Sequence, residues 1–327
     1  MKKRVTILSI DGGGMRGVIP AMIIAEIERL TGKHSYELFD LIAGSSTGGI
    51  MAACLVTPLE DGTPKFTGKS LVKVYEDEGP KVFSHSLWHQ ILSGGSVVDA
   101  KYPSDGAEEV FNRQYGQVSL KDALTEVLIP AFELELGVPL FFKSHDAKRD
   151  PAKNFLLQQA VLATISAPTF FKPYVIESQD LSLLKHLVFV DGGVIANNPA
   201  MCAYVEAKLM FPDAEEYLVV SLGTGDYGAS HMYETTNGWG AAQWARPLLR
   251  ILLTGSVDIV DHQLKVLMNT KGDNLNHYYR FQLPMQADTS PLDDASATNL
   301  HSLELIAENM IREKGEELEA LCKILAK

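Results

Sequence analysis

Along the chain, apolar residues switch repeatedly between a short continuous run and a helical spacing. Val5 to Ile10 is a β-branched run the length of one buried strand, and it stops at Asp11-Gly12-Gly13-Gly14. Val18 to Leu30 then repeats its apolar residues at helical spacing and is closed by Gly32. A second strand is predicted at Leu38 to Ala43, followed by a glycine-bounded turn and an apolar helix from about Thr47 to Val56. Prolines, glycines and polar residues predict a loop over 58–70, and 79–106 is loop-rich around Gly94-Gly95-Ser96. Further strands are predicted at Val127 to Leu134, Leu187 to Asp191 and Tyr217 to Leu222. Helices are predicted near Phe155 to Ile165, Ala200 to Met210, Pro247 to Met268 and Leu300 to Leu325. Strands separated by helices imply an α/β fold of three layers, α/β/α, with a mostly parallel central sheet covered on both faces. Without repeats or low-complexity tracts, a single domain over 1–327 is expected, its core at about 4–225 and a helical C-terminal part at about 240–327 packed on it.

Composition narrows the functional classes. The chain has 327 residues, 46% hydrophobic and 21% charged, as ordinary globular proteins do, and a formal charge of −12. That balance argues against a nucleic-acid polymer as partner, because such partners need a basic face. Tight docking on anionic lipid is not favoured either, except through a local basic or apolar patch. Met1-Lys2-Lys3-Arg4 carries the charge of a signal-peptide start, but the strand-like residues after it end at Asp11. The apolar stretch Val18 to Ala25 contains Pro20 and stops at Glu26, too short to span a bilayer. Cys54, Cys202 and Cys322 are far apart and in no CxxC pattern, so they read as buried thiols of a reducing compartment. The expected location is cytoplasmic, with peripheral membrane contact allowed.

Three glycine-rich segments carry candidate chemistry. Gly44-Ser45-Ser46-Thr47-Gly48 fits G-x-S-x-G, the sharp turn that lifts a serine off a strand end toward the next helix. The bland reading is a glycine-rich helix cap. Asp11 to Gly17 follows the first strand and opens a helix, so its successive backbone N–H groups suit an anion, either an oxyanion on a carbonyl under attack or a cofactor phosphate. Gly12-x-Gly14-x-x-Gly17 satisfies the dinucleotide fingerprint. That rival needs an acidic residue at the end of the second strand, whereas Asp40 lies near its start and the strand ends in the serine turn. Asp191-Gly192-Gly193 follows Val188-Phe189-Val190, so its carboxylate also sits at a strand end, either as a base or as a turn residue. In a parallel sheet the carboxyl ends of the strands share one edge, where the three segments are expected to converge. A Ser-Asp-His arrangement would instead draw on His231, His262, His277 or His301, none in a recognisable loop motif. Ser46 also follows only the second strand, earlier than in α/β-hydrolases.

Together these segments resemble the patatin-like phospholipases, a family with a Ser-Asp dyad, a DGGGxRG oxyanion loop, a GxSxG elbow and a DGG or DGA carrying the base. Leu38 to Gly44, Ala167 to Phe171, Asn197-Asn198-Pro199-Ala200, Ser221 to Gly225 and Leu292 to Ser296 resemble its plant-type branch, and the similarity runs over roughly 4–312. The resemblance implies the patatin-like fold, related to the cytosolic phospholipase A2 catalytic fold. It implies a lipid acyl hydrolase cleaving fatty acyl esters of glycerophospholipids or related lipids through an acyl-enzyme. Ser46 would attack the ester carbonyl and Asp191 would take its proton. Gly12, Gly13 and Gly14 would stabilise the oxyanion through backbone N–H groups, Arg16 would support or charge that loop, and the Thr47 N–H is a further donor. An ordinary aspartate, at about 3.9, is a poor match for deprotonating an alcohol, so such a dyad relies on a short direct hydrogen bond and on oxyanion stabilisation. No cofactor and no metal is expected: EF-hand and HExxH patterns are absent, and Asp293-Asp294 is too little for a calcium loop.

The expected partner is phospholipid or another acyl lipid, with transient contact at a membrane surface and room for a small-molecule activator. Val82-Phe83 and Leu87-Trp88 to Leu92 fit an apolar lid over 80–100, or core residues under a loop. Trp239, Trp244 and Pro247 to Leu253 leave the same choice between lipid contact and core packing, with packing favoured, and His85 and His89 read as surface or core residues rather than ligands. Two other functions stand beside the hydrolase: a lipid-binding or storage protein, and a ligand- or partner-activated phospholipase effector of the kind some bacterial members provide in defence.

Overall fold

A computed structural model of the protein describes residues 4–78, 105–168, 170–177, 185–226, 233–268, 277–285 and 294–327. The expected lid over 80–100, with His85 and His89, lies outside the described residues, as do His231, Thr169 and Asp293. Among the described residues eight strands form one sheet: β1 Arg4–Ile10, β2 Leu41–Gly44, β3 Glu126–Glu133, β4 Val138–Lys143, β5 Tyr174–Glu177, β6 His186–Asp191, β7 Glu216–Leu222 and β8 Tyr278–Phe281. Their order is β5-β6-β3-β2-β1-β7-β8, with β4 also paired to β3. β1 lies parallel between β2 and β7, and the β2–β3 and β7–β8 pairs are parallel as well. The β3–β4, β3–β6 and β5–β6 pairs are antiparallel.

The central strands are apolar on both faces, which is what burial between two helical layers demands. One face presents Leu8, Ile10, Ile42, Val127, Ile129, Val220 and Leu222. It packs on α1 Val18–Thr31, α2 Thr47–Val56, α3 Gly68–Asp77, α4 Asp105–Tyr115 and α5 Leu157–Ile165. The other presents Val5, Ile7, Leu41, Ala43, Leu128 and Val219 to α6 Ala200–Met210 and α7 Ala241–Met268. α8 Ala297–Glu313 and α9 Gly315–Leu325 complete the first layer through Leu303, Ala307, Leu318 and Leu321. Among the described residues no helix is long and apolar enough to cross a membrane.

Several sequence-predicted elements differ. Leu38 ends a one-turn helix, Ser35–Leu38, so β2 starts at Leu41. α7 begins at Ala241 and carries Pro247 inside it, its start braced by Trp239 and Trp244, ring centroids 5.2 Å apart at 78°. The helix expected over 300–325 is two helices joined at Lys314. The C-terminal part also supplies β8, so it is not only helical.

Candidate active site

The serine turn is built by exclusion. A Cβ on Gly44 would lie 1.9 Å from the Gly48 carbonyl oxygen, and one on Gly48 would lie 2.2 Å from that of Ile10. Only glycines let β1, β2 and the start of α2 close to this distance. The turn leaves Ser46 at φ 52°, the one non-glycine residue with positive φ among the described residues. Strain of that kind persists only where surrounding contacts over-determine it. Here the Ser46 N–H donates to Thr164 Oγ1 at 3.0 Å, and the Gly49 and Ile50 N–H groups donate to the Ser46 carbonyl.

Ser46 Oγ donates to Asp191 Oδ2 at 2.8 Å, across 145 residues of sequence. The other carboxylate oxygen, Oδ1, accepts the Gly193 N–H at 2.6 Å. Asp191 is buried, and burial pushes its carboxyl up from 3.8 to about 7 against the opposing hydrogen bonds from Gly193 and Ser46. Sequence alone pointed to an ordinary aspartate; the closed environment places it near neutrality, where a general base works best. Among the described residues no histidine bonds Ser46 or Asp191; His262 is exposed on α7, and His301 pairs with Glu304 at 3.5 Å.

Ser46 and Asp191 meet for a different reason from the expected one. β6 runs antiparallel to β3, so its carboxyl end does not share the edge of the parallel strands. β3 outruns β2, pairing with it only as far as Ala43↔Leu128 and then with β6 at Ala131↔Asp191. β6 therefore ends just beyond β2, level with the serine turn.

The glycine loop after β1 is held from several sides. Gly12 stands against Ser46: a Cβ there would lie 3.2 Å from Ser46 Cβ and 2.2 Å from Asn197 Oδ1. Its N–H donates to the Asn197 carbonyl at 2.9 Å and its carbonyl accepts Thr224 Oγ1 at 2.8 Å. Gly12 is thus not a free donor, contrary to expectation. Gly13 and Gly14, the latter at φ 58°, have no acceptor for their N–H groups among the described residues, nor has Thr47. Arg16 is buried and spans the Gly13 and Gly225 carbonyls, both at 3.2 Å, so its guanidinium braces the loop from behind. Tyr75 of α3 meets Thr47 Oγ1 at 2.5 Å. Asp11, which opens the loop, is buried and forms a two-pronged ion pair with Arg280 of β8, at 2.5 and 3.0 Å. Arg280 also donates to Ser221 Oγ at 2.7 Å.

Sequence reasoning did not assign a role to Thr164, Tyr75, Asn197, Thr224 or Arg280. Asn197 and Thr224 lie in two of the family-like stretches, which was the available signal; Arg280, in a four-residue strand, had none.

Residues 8–204 match the family model of the patatin-like phospholipases. The chain is 32% identical to patatin-like protein 1 of Oryza sativa subsp. indica, over 95% of this chain and 82% of that protein. It is 31% identical to patatin-like protein 4 of Arabidopsis thaliana, over 94% and 83%. VipD of Legionella pneumophila, a solved structure, superposes with a TM-score of 0.43 at 12% identity, covering 94% of this chain and 67% of VipD. On the extent of the family match and of the plant relatives, the chain belongs to the patatin-like phospholipase family, a family of lipid acyl hydrolases.

Proposed function

We propose that the protein is a serine acyl hydrolase of lipid esters, with Ser46 as nucleophile and Asp191 as the one general base. The observation that carries this reading is the direct 2.8 Å bond from Ser46 Oγ to Asp191 Oδ2, on a carboxyl raised to about 7. In the first step Ser46 Oγ attacks the ester carbonyl while its proton passes to Asp191 Oδ2. The oxyanion is met by the N–H groups of Gly13, Gly14 and Thr47, which the fold leaves without acceptors among the described residues. Collapse expels the lipid alcohol, which takes the proton from Asp191, and leaves an acyl ester on Ser46. A water then gives its proton to Asp191 and attacks that ester; collapse releases the fatty acid and returns the proton to Ser46 Oγ.

Contact with a lipid surface is part of the same reading, supported by the outer face of α7. Trp244, Leu248, Leu252, Ile259 and Val266 recur at spacings of four and seven, and between 36% and 62% of each is exposed. At 3.6 residues per turn they form one stripe. No Asp, Glu, Lys or Arg occupies its positions, in a chain of net charge −12. The opposite side of α7 packs inward: a Cβ on Gly193 would lie 3.0 Å from Leu253 Cδ2, beside the Asp191 turn.

The test is fatty-acid release from mixed phospholipid vesicles by wild type and Ser46→Ala, with EDTA present. Release by wild type and none by the variant is the expected result. Equal release by both would remove Ser46 from the mechanism. If folded wild type releases nothing and a fluorophosphonate fails to label Ser46, the hydrolase reading falls.

A further inference from the structure

Neither Ser46 nor Asp191 is held by its own element alone. Both lean on the last turn of α5 Leu157–Ile165 and the two residues after it. Thr164 is fully buried there, and its three polar contacts go to three separate segments. Its hydroxyl accepts the Ser46 N–H at 3.0 Å and donates to the Pro130 carbonyl of β3 at 2.6 Å. Its own carbonyl accepts the Gly192 N–H at 3.2 Å, and the Ser166 carbonyl accepts the Asp191 N–H at 3.0 Å.

The surrounding backbone is cleared for this side chain. A Cβ on Gly49 would come within 2.6 Å of Thr164 Cγ2, and one on Gly192 within 2.9 Å of Thr164 Oγ1. Two glycines from different segments therefore admit one threonine. A hydroxyl has a single proton, and here it is committed to Pro130, which turns a lone pair toward the Ser46 N–H. That N–H belongs to the strained turn residue, has left the β2 ladder and starts no helical bond of its own. Valine has the shape of threonine and supplies neither contact.

We infer that Thr164 is a positioning residue that sets the separation of Ser46 and Asp191 by binding the backbone of both turns at once. The inference rests on the dyad reading above. It acts through geometry alone: Thr164 takes no proton from the substrate and does not touch it. Its effect falls on the rate of acylation, because a misplacement of about 1 Å at reacting atoms costs on the order of 100-fold.

The experiment compares wild type, Thr164→Val, Thr164→Ser and Ser46→Ala with a chromogenic acyl ester, the first three rates expressed per active site titrated with a fluorophosphonate and that of Ser46→Ala per mole of folded protein. Thr164→Val is expected to lower the acylation rate per titrated site by roughly 10- to 100-fold with KM within about threefold of wild type. Thr164→Ser, which keeps the hydroxyl, is expected within about threefold of wild type. A purely structural role would reduce the titratable fraction and the melting temperature while leaving the rate per site unchanged, and that result overturns the inference. Should Thr164→Val yield no folded protein, Thr164→Ser decides: a loss of tenfold or more there shows that the hydroxyl is not the determinant. Ser46→Ala separates the two readings. If it retains turnover, the dyad fails; if it is inactive while Thr164→Val matches wild type per site, only the role of Thr164 fails.

Discussion

Under the proposed dyad, the Asp191 carboxyl ties catalysis to stability in a way that one substitution measures. Unfolded, the group titrates near 3.8; folded, burial holds it at about 7. Between those pH values the folded protein keeps a proton that the unfolded chain has released, so stability falls as pH rises through the window and the loss is complete above about 7. At about 1.4 kcal/mol per pH unit, the ionised carboxylate costs the folded state on the order of 4 kcal/mol. Asp191→Asn removes that cost and keeps an oxygen for the Gly193 N–H. With an unfolding entropy of roughly 2.1 cal/mol/K per residue, the 327 residues give about 0.7 kcal/mol/K, so the variant melts about 6 °C above wild type at pH 8. The gap narrows to under about 1 kcal/mol at pH 4, where the folded carboxyl is protonated and the unfolded one is just over half ionised. Activity moves the other way: turnover falls by a factor on the order of 1,000, since an amide takes no proton from Ser46. Scanning calorimetry of both proteins at pH 4, 6 and 8, beside ester hydrolysis at pH 8, reads both arms. A variant that melts with or below wild type at pH 8, or a gap that does not change with pH, would refute the reasoning.

In wild type the same carboxyl predicts a kcat/KM profile that falls about tenfold per pH unit below about 7, read with a soluble ester; a limb centred near pH 4 would place the base elsewhere. Arg280→Met leaves Asp11 buried and uncompensated, and is expected to cost about 3–5 kcal/mol in urea unfolding, more than it loses to reduced volume. Leu248→Ser with Leu252→Ser on the outer face of α7 is expected to weaken sedimentation with phospholipid vesicles severalfold while hydrolysis of a soluble ester stays within about twofold. Unchanged sedimentation would remove that face from lipid contact.

The legible parts of the site were those whose chemistry is local in sequence. The serine turn announces itself because Gly44 meets the Gly48 backbone four residues on, where no other residue type fits, although Gly48 itself is cleared for Ile10 of the neighbouring strand. The loop after β1 was readable for the same reason, but which N–H groups it leaves open was not. The Gly12 donor is taken by Asn197, a contact made across 185 positions of chain between residues 12 and 197. The strand-end position of Asp191 is legible in sequence, whereas the direction of β6 is not: its antiparallel entry depends on β3 outrunning β2, which no periodicity encodes. β5 and β8 went unread because four residues are too few to show a period against background. The raised carboxyl of Asp191 arises from enclosure by the folded chain, so composition around residue 191 could not reveal it.

The ion pair between Asp11 and Arg280 has a consequence for how the protein comes into being. Its partners are 269 residues apart, and Arg280 lies well past residue 204, where the family match ends. On a ribosome, Ser46 and Asp191 emerge before the strand that neutralises Asp11. Until β8 has joined β7, the glycine loop beside Ser46 lacks the guanidinium that pairs with the carboxylate at its root. The order of synthesis thereby leaves the root of the loop without its Arg280 partner until residue 280 has been made and β8 has paired with β7.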